Sequence, residues 1–176
     1  MKKKVDIERD IKKNIFILFS LQNKSEKLVR DLNKNSDLHA FMPTMEYYRR
    51  DIDGIAKKLM YPGYVFVKSD YSQKQFDEFL TNNYSLNGED GIIRQLKVNG
   101  TVCLTDEELN YFNLLFDRWG VLRMSYAVYF DKKRMVISRG PLKGFEDEII
   151  KIDRHNKIAK LGVKMLGKTL VAGLWL

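Results

Sequence analysis

Up to about residue 116 the apolar positions of this chain switch between a period of two and a period near 3.6; beyond it only the shorter period remains. Ile15 to Leu21 is a β-branched and aromatic run that predicts a strand, and "NKSEKLVRDLNKN" predicts a helix with Ser25 as its cap and Leu28, Val29 and Leu32 on one face. "HAFMPTMEYYRR" predicts a second strand, with Pro43 at an edge or bulge because proline cannot donate to a ladder. The polar, basic "RRDIDGIAKK" reads as a hairpin tip leading to a third strand, "LMYPGYVFVK". There Tyr64 and Phe66 share one face and Val65 and Val67 the other, so both faces are apolar. Ser72 with Gln75 and Thr105 with Glu108 form capping boxes, each followed by aromatic and leucine positions at helical spacing: Phe76, Phe79 and Leu80, then Leu109, Phe112, Leu115 and Phe116. "GIIRQLKVNG" between them predicts a further strand, and the carboxylates of "TDEE" have a structural use at a helix N-terminus.

After Asp117, "RMVIS", "EDEIIKID", "KIAKLGVKM" and "KTLVAGLWL" read as short strands joined by "RGPLKG", "RHN" and "LG". Ala159, Leu161, Val163 and Met165 fall on one face and Lys160 and Lys164 on the other, the pattern of a small antiparallel array that closes into an SH3-like barrel. The expected fold is therefore α+β: an antiparallel sheet with helices over residues 13–116, a linker over 117–126 and a small β-barrel over 127–176.

Composition narrows the class. The 44% hydrophobic content is that of a globular chain. One cysteine, Cys103, excludes an intrachain disulfide, and with only His39 and His155 it cannot build a Cys/His zinc site, which fits a reducing cytoplasm. The lysine-rich start precedes an apolar run too short to span a bilayer and without a cleavage signal, so neither a signal peptide nor a membrane segment is expected. Residues 1–116 carry 18 Lys+Arg against 17 Asp+Glu, whereas residues 117–176 carry 13 against 6, which places nearly all of the net +8 in the C-terminal third. Such an excess is either a solvated lysine surface or a surface drawn to phosphate.

Catalytic motifs are lacking: the sequence holds no Gly-Lys-Ser/Thr phosphate loop, no Gly-x-Ser-x-Gly elbow and no Gly-x-Gly-x-x-Gly. Cys103, in the apolar "TVCLT", reads as a small buried residue rather than a nucleophile, and His155 as a surface residue rather than a base. A non-enzymatic protein without cofactor or metal is expected.

"FMPTMEYYRR...KKLMYPGYVFVK" resembles the NusG family of transcription elongation factors, whose N-terminal (NGN) domain has a strand ending in a Pro-Thr-Glu-like turn, a variable hairpin and a Phe/Tyr-Pro-Gly-Tyr strand; Pro43, Pro62, Gly63 and Tyr64 carry the match. "MVISRGPLKGFEDEIIKIDRHNKIAKLGVKMLGK" is similar to the KOW motif that follows in that family, through Gly140, Pro141 and Gly144. The wording "GPLKG.E..I.KIDRH", with "VLRMS" ahead of it, is most like the LoaP group of specialised antiterminator paralogues. Asp131-Lys132-Lys133 departs from the Gly-Asp or Pro-Gly-Glu that the family shows before the first KOW strand.

The resemblance implies an RRM-like NGN sandwich that binds the clamp helices of the largest RNA polymerase subunit, and a monomer recruited by a nascent RNA hairpin to promote readthrough of terminators at selected operons. By the same resemblance Phe19, Tyr64 and Phe66 form the polymerase face, with Met60 and Tyr61 at its rim. The pattern alone favours the plainer reading, in which these aromatics fill a core between sheet and helices. Candidate RNA contacts are Arg139, Lys143, Arg154, His155 and Lys157 on the KOW turns and Arg49, Arg50, Lys57 and Lys58 on the hairpin, since arginine grips phosphate bidentately and stacks on unpaired bases. Two alternatives stay open: a general NusG-type factor coupling polymerase to Rho or the ribosome, and a stand-alone KOW-type RNA- or ribosome-binding protein.

Overall fold

A computed structural model describes residues 14–130 and 134–176. The chain divides into two compact units: one is the sequence up to Pro43 together with Tyr61–Asn113, the other Thr44–Met60 together with Leu114–Leu176.

The first unit is built on a five-stranded antiparallel sheet. Its strands are β1 (Asn14–Ser20), β2 (Leu38–Phe41), β5 (Tyr64–Ser69), β6 (Ile92–Val98) and β7 (Thr101–Val102), in the order β2-β5-β1-β6-β7. Helices α1 (Ser25–Leu32) and α2 (Gln73–Asn83) pack Leu28, Leu32, Phe76 and Leu80 against Phe16, Leu18, Val65 and Val67 on one face. Phe16 and Phe76 stack with ring centroids 4.0 Å apart. The expected cores of both helices are thus present, as is the assignment of Val65 and Val67 to the helix side. Ser72 and Gln75 exchange both capping-box bonds at the start of α2, and Thr105 and Glu108 do the same before α3 (Asp106–Leu115). Ser25, by contrast, is the first residue of α1 and does not cap it; its hydroxyl instead donates to the Leu21 carbonyl at 3.0 Å.

The opposite face of this sheet has its own cover. Phe112 of α3 lies against Phe41 and Phe66 (5.9 and 5.7 Å between centroids), and Tyr61 closes on Phe66 at 5.8 Å.

"HAFMPTMEYYRR" is two strands rather than one. Pro43, with no N–H to offer, ends the ladder after β2, and the chain continues as β3 (Thr44–Arg49) in a different sheet. A 3₁₀ turn, Arg50–Ile52, then leads into β4 (Gly54–Leu59), so that the basic segment read as a hairpin tip is largely strand. Asp53 takes the left-handed conformation that closes this turn. In the second unit β3 also pairs in parallel with β8 (Val121–Leu122), giving the order β4-β3-β8.

The remainder of the second unit is a curled five-stranded sheet, consistent with a small SH3-like module. Its strands are β9 (Ser125–Phe130), β10 (Arg134–Arg139), β11 (Ile149–Asp153), β12 (Ile158–Met165) and β13 (Lys168–Trp175), in the order β10-β9-β13-β12-β11. Ala159, Leu161, Val163 and Met165 are buried while Lys160 and Lys164 are exposed, as their alternation requires. "EDEIIKID" begins with a 3₁₀ turn over Glu146–Glu148 before becoming strand. Asp131-Lys132-Lys133, where the sequence departs from the NusG pattern, lies outside the described residues.

Glu46 fastens β3 within this unit. One carboxylate oxygen accepts from the Met124 backbone N–H and the other from Arg123, both at 2.8 Å, while Arg123 also bonds Asp117 at 2.8 Å. Gly173 of β13 faces the same place: a Cβ there would stand 2.5 Å from the Glu46 carbonyl oxygen, so only glycine admits this approach.

Candidate functional site

On the first unit, β1 and β5 run antiparallel with Phe19 opposite Tyr64. Both rings are half-buried, and their centroids lie 5.3 Å apart in a tilted pair. The Pro62-Gly63 turn fixes where β5 begins: Gly63 has φ +83°, and its carbonyl accepts from the Ser20 N–H at 2.7 Å. Arg94, the register partner of Phe19 on β6, holds its guanidinium 5.9 Å from the Phe19 centroid.

The other expected members of this face are elsewhere. Phe66 shares the face of Tyr64, but it is 0% exposed, and Tyr61 is 3% exposed. The reason is α3: alternation correctly put Phe66 opposite the α1/α2 core, and Phe112 then covers it. Exposure as docking residues is therefore corrected for Phe66 and Tyr61, which form a second core. Burial, with a smaller push from Glu108, raises the Tyr61 hydroxyl to about 12. Met60 is half-buried and belongs to the second unit, whereas Phe19, Tyr64 and Phe66 belong to the first.

The basic candidates all lie in the second unit, and each has a defined environment. Arg49 is taken up in a bidentate pair with Asp51 at 2.8 and 2.7 Å. Arg50 donates to the His155 backbone carbonyl at 2.9 Å, bringing the hairpin onto the β11–β12 turn. Lys57 is exposed opposite Glu46, and Lys58 lies 5.0 Å from the Tyr47 ring centroid. Arg139 stacks over Tyr126 at 4.0 Å, and Arg154 lies over Tyr129 at 5.1 Å while donating to its hydroxyl at 2.9 Å. His155 is exposed at the turn that Asp153 organises; the Asn156 backbone and side-chain N–H groups hold the Asp153 carboxyl below its ordinary range. Lys157 adopts φ +53° and places its ammonium 4.0 Å from the Trp175 centroid and 5.4 Å from that of Tyr48. Lys143 is exposed on the Gly140–Phe145 turn.

The cations are legible in the sequence as residues on turns; the rings beneath them are not. Tyr48, Tyr126, Tyr129 and Trp175 had only one available signal, strand positions followed by exposed neighbours, and that signal does not say which turn folds over which ring.

A family model for transcription termination factor NusG matches residues 13–113 of the chain. The chain belongs to the NusG family. A relative from Borreliella burgdorferi, named transcription termination/antitermination protein NusG, is 23% identical over 135 residues, covering 76% of this chain and 73% of that protein. NusG proteins are transcription factors rather than enzymes. Among the described residues no cluster of three or more His, Cys, Asp or Glu could hold a metal ion. Nor is any described helix long and apolar enough to cross a membrane.

Cys103 in this NusG-family chain is half-buried, and burial above all pushes its thiol up to about 11. At pH 8 its thiolate fraction is smaller than that of an ordinary cysteine by about a hundredfold. Iodoacetamide should alkylate it slower by about that factor, with a rate that keeps climbing towards pH 11; alkylation at the free-cysteine rate would contradict the assignment.

Proposed function

We propose that the chain is a transcription antitermination factor that docks on RNA polymerase through Phe19 and Tyr64 and is recruited at selected operons by a nascent RNA hairpin. The observation that carries the docking assignment is the half-buried Phe19–Tyr64 pair, 5.3 Å between centroids on two paired strands, in a protein of the NusG family. Two rigid rings held by a sheet offer large apolar area at low entropic cost, which suits insertion against a helical tip such as the polymerase clamp helices. The basic turns of the second unit support the RNA part, because exposed arginines there are already oriented over rings.

The test is a pair of measurements. Phe19→Ala with Tyr64→Ala should weaken association with core polymerase by about thirtyfold or more while leaving the thermal melt of the protein near that of the parent. Transcription by purified polymerase through a terminator, with and without the native leader upstream, should show readthrough only with the leader. Undiminished association of the folded double variant would sink the docking face.

A general NusG-type factor is the second reading, favoured by the termination/antitermination name of the Borreliella burgdorferi relative. Readthrough or termination effects independent of the leader would support it instead.

A further inference from the structure

The outer face of the curled sheet carries a row of rings and cations drawn from five segments of the chain. Trp175 of β13 pairs in parallel register with Tyr126 of β9, and Leu174 with Ser125. Leu174 and Ser125 are 0% exposed, whereas Tyr126 and Trp175 are half-buried. Because successive strand residues point to opposite faces, Tyr126 and Trp175 stand side by side on the outer one, one strand spacing apart. Arg139 from β10 lies over Tyr126 at 4.0 Å. Trp175 meets Tyr48 of β3 edge to face at 5.0 Å, and Lys157 bridges both rings. Arg50, two residues beyond Tyr48, reaches the carbonyl of His155, two residues before Lys157. Asp53 is bonded to this row, accepting from the Tyr48 hydroxyl at 2.7 Å, a bond that raises the hydroxyl's pKa.

We infer that this row, Arg139–Tyr126–Trp175–Lys157–Tyr48–Arg50, is a single binding strip for an unpaired RNA strand; the inference rests on the RNA part of the reading above. Rings on neighbouring strands suit successive bases, and the cations laid against them suit the phosphates of the same strand. A duplex keeps its base faces stacked internally and could use only the cations. Arg139, planar and already seated on Tyr126, offers its outer plane as a further stacking surface, which a lysine there could not. The strip also joins the two groups of basic candidates: Arg139 and Lys157 of the KOW turns and Arg50 of the hairpin belong to one site.

Trp175 provides the readout. The chain has two tryptophans, so Trp119→Phe leaves Trp175 as the sole tryptophan, read by exciting at the red edge where tyrosine does not absorb. Titrating that full-length variant with a random-sequence single-stranded RNA should quench its fluorescence, and adding Tyr126→Leu or Arg139→Gln should weaken binding by roughly tenfold each with an unchanged melt. A blunt RNA duplex should bind more weakly and without quenching. Single-stranded RNA bound without quenching, or with affinity indifferent to both substitutions, overturns the strip while leaving RNA binding in place. Absence of binding to any RNA overturns both. Equal or tighter binding of the matching single-stranded DNA overturns the assignment to RNA, and full displacement by polyglutamate would reduce the strip to a charged patch and overturn it as well.

Discussion

Gly140→Ala should cost the second unit about 3–5 kcal/mol, much of what holds a small domain together. Gly140 has φ +104°, which an L side chain adopts only under strain. Its environment is worse still: an added Cβ would lie 2.6 Å from Ser125 Cα, 2.6 Å from Ser125 Oγ and 2.8 Å from the Met124 carbonyl oxygen. Two of these are backbone atoms at the start of β9 and cannot step aside as a side chain could. Ser125 Oγ also accepts from the Leu142 N–H at 3.0 Å, so displacing it unstitches the turn that Gly140 opens. Gly144, in the same turn, is the control. It has φ +88° and nothing within 4 Å, so Gly144→Ala should show only conformational strain, about 1 kcal/mol. Amide exchange followed by mass spectrometry should show β9, β12 and β13 losing protection in Gly140→Ala and keeping most of it in Gly144→Ala. Similar losses in both would mean that steric contact contributes little.

Phe66→Ala should destabilise the first unit by about 3–5 kcal/mol, whereas Tyr64→Ala, two residues away on the same face, should cost about 1 kcal/mol or less. Phe66 is enclosed by Phe41, Tyr61 and Phe112, all with centroids within 6.0 Å. Removing it leaves a cavity between a sheet and a helix that cannot both close inward. Tyr64 is only half-buried, paired with Phe19 at 5.3 Å. Urea denaturation of the two single variants separates them, and equal midpoints would contradict the burial of Phe66. The pairing of Phe66 with Tyr64 as one docking unit, which alternation and resemblance suggested, would therefore have confounded unfolding with lost binding.

What the sequence could disclose followed the range of the interactions. The Ser72–Gln75 and Thr105–Glu108 caps are set by residues three apart, and the alternation of Val65 and Val67 by one strand, so both were legible. The helical spacing of Phe112 and Leu115 said that α3 had an apolar face to bury, but not that Phe66 and Phe41 would receive it. Pro43 marked an interruption; whether the chain resumed in the same sheet depended on partners far along the sequence, and β3 found β4 and β8 instead. The candidate strip followed the same rule. Arginines on turns announce themselves, but that Trp175 meets Tyr48 depends on Gly173 letting β13 against the Glu46 backbone.

That approach of β13 to β3 also sets a timetable for the nascent chain. Arg50 and the carbonyl it binds are 105 residues apart, and Glu46 and the amide it caps are 78 apart. Contacts so distant in sequence form slowly, because the loop between them must be closed first. On the ribosome the 44–60 hairpin emerges long before β13 and lacks the packing of Gly173 against the Glu46 backbone until 168–175 has been made. Translation of this protein thus leaves a hairpin made early to be finished late, and loss of β13 would deprive β3 of the strand packed against it.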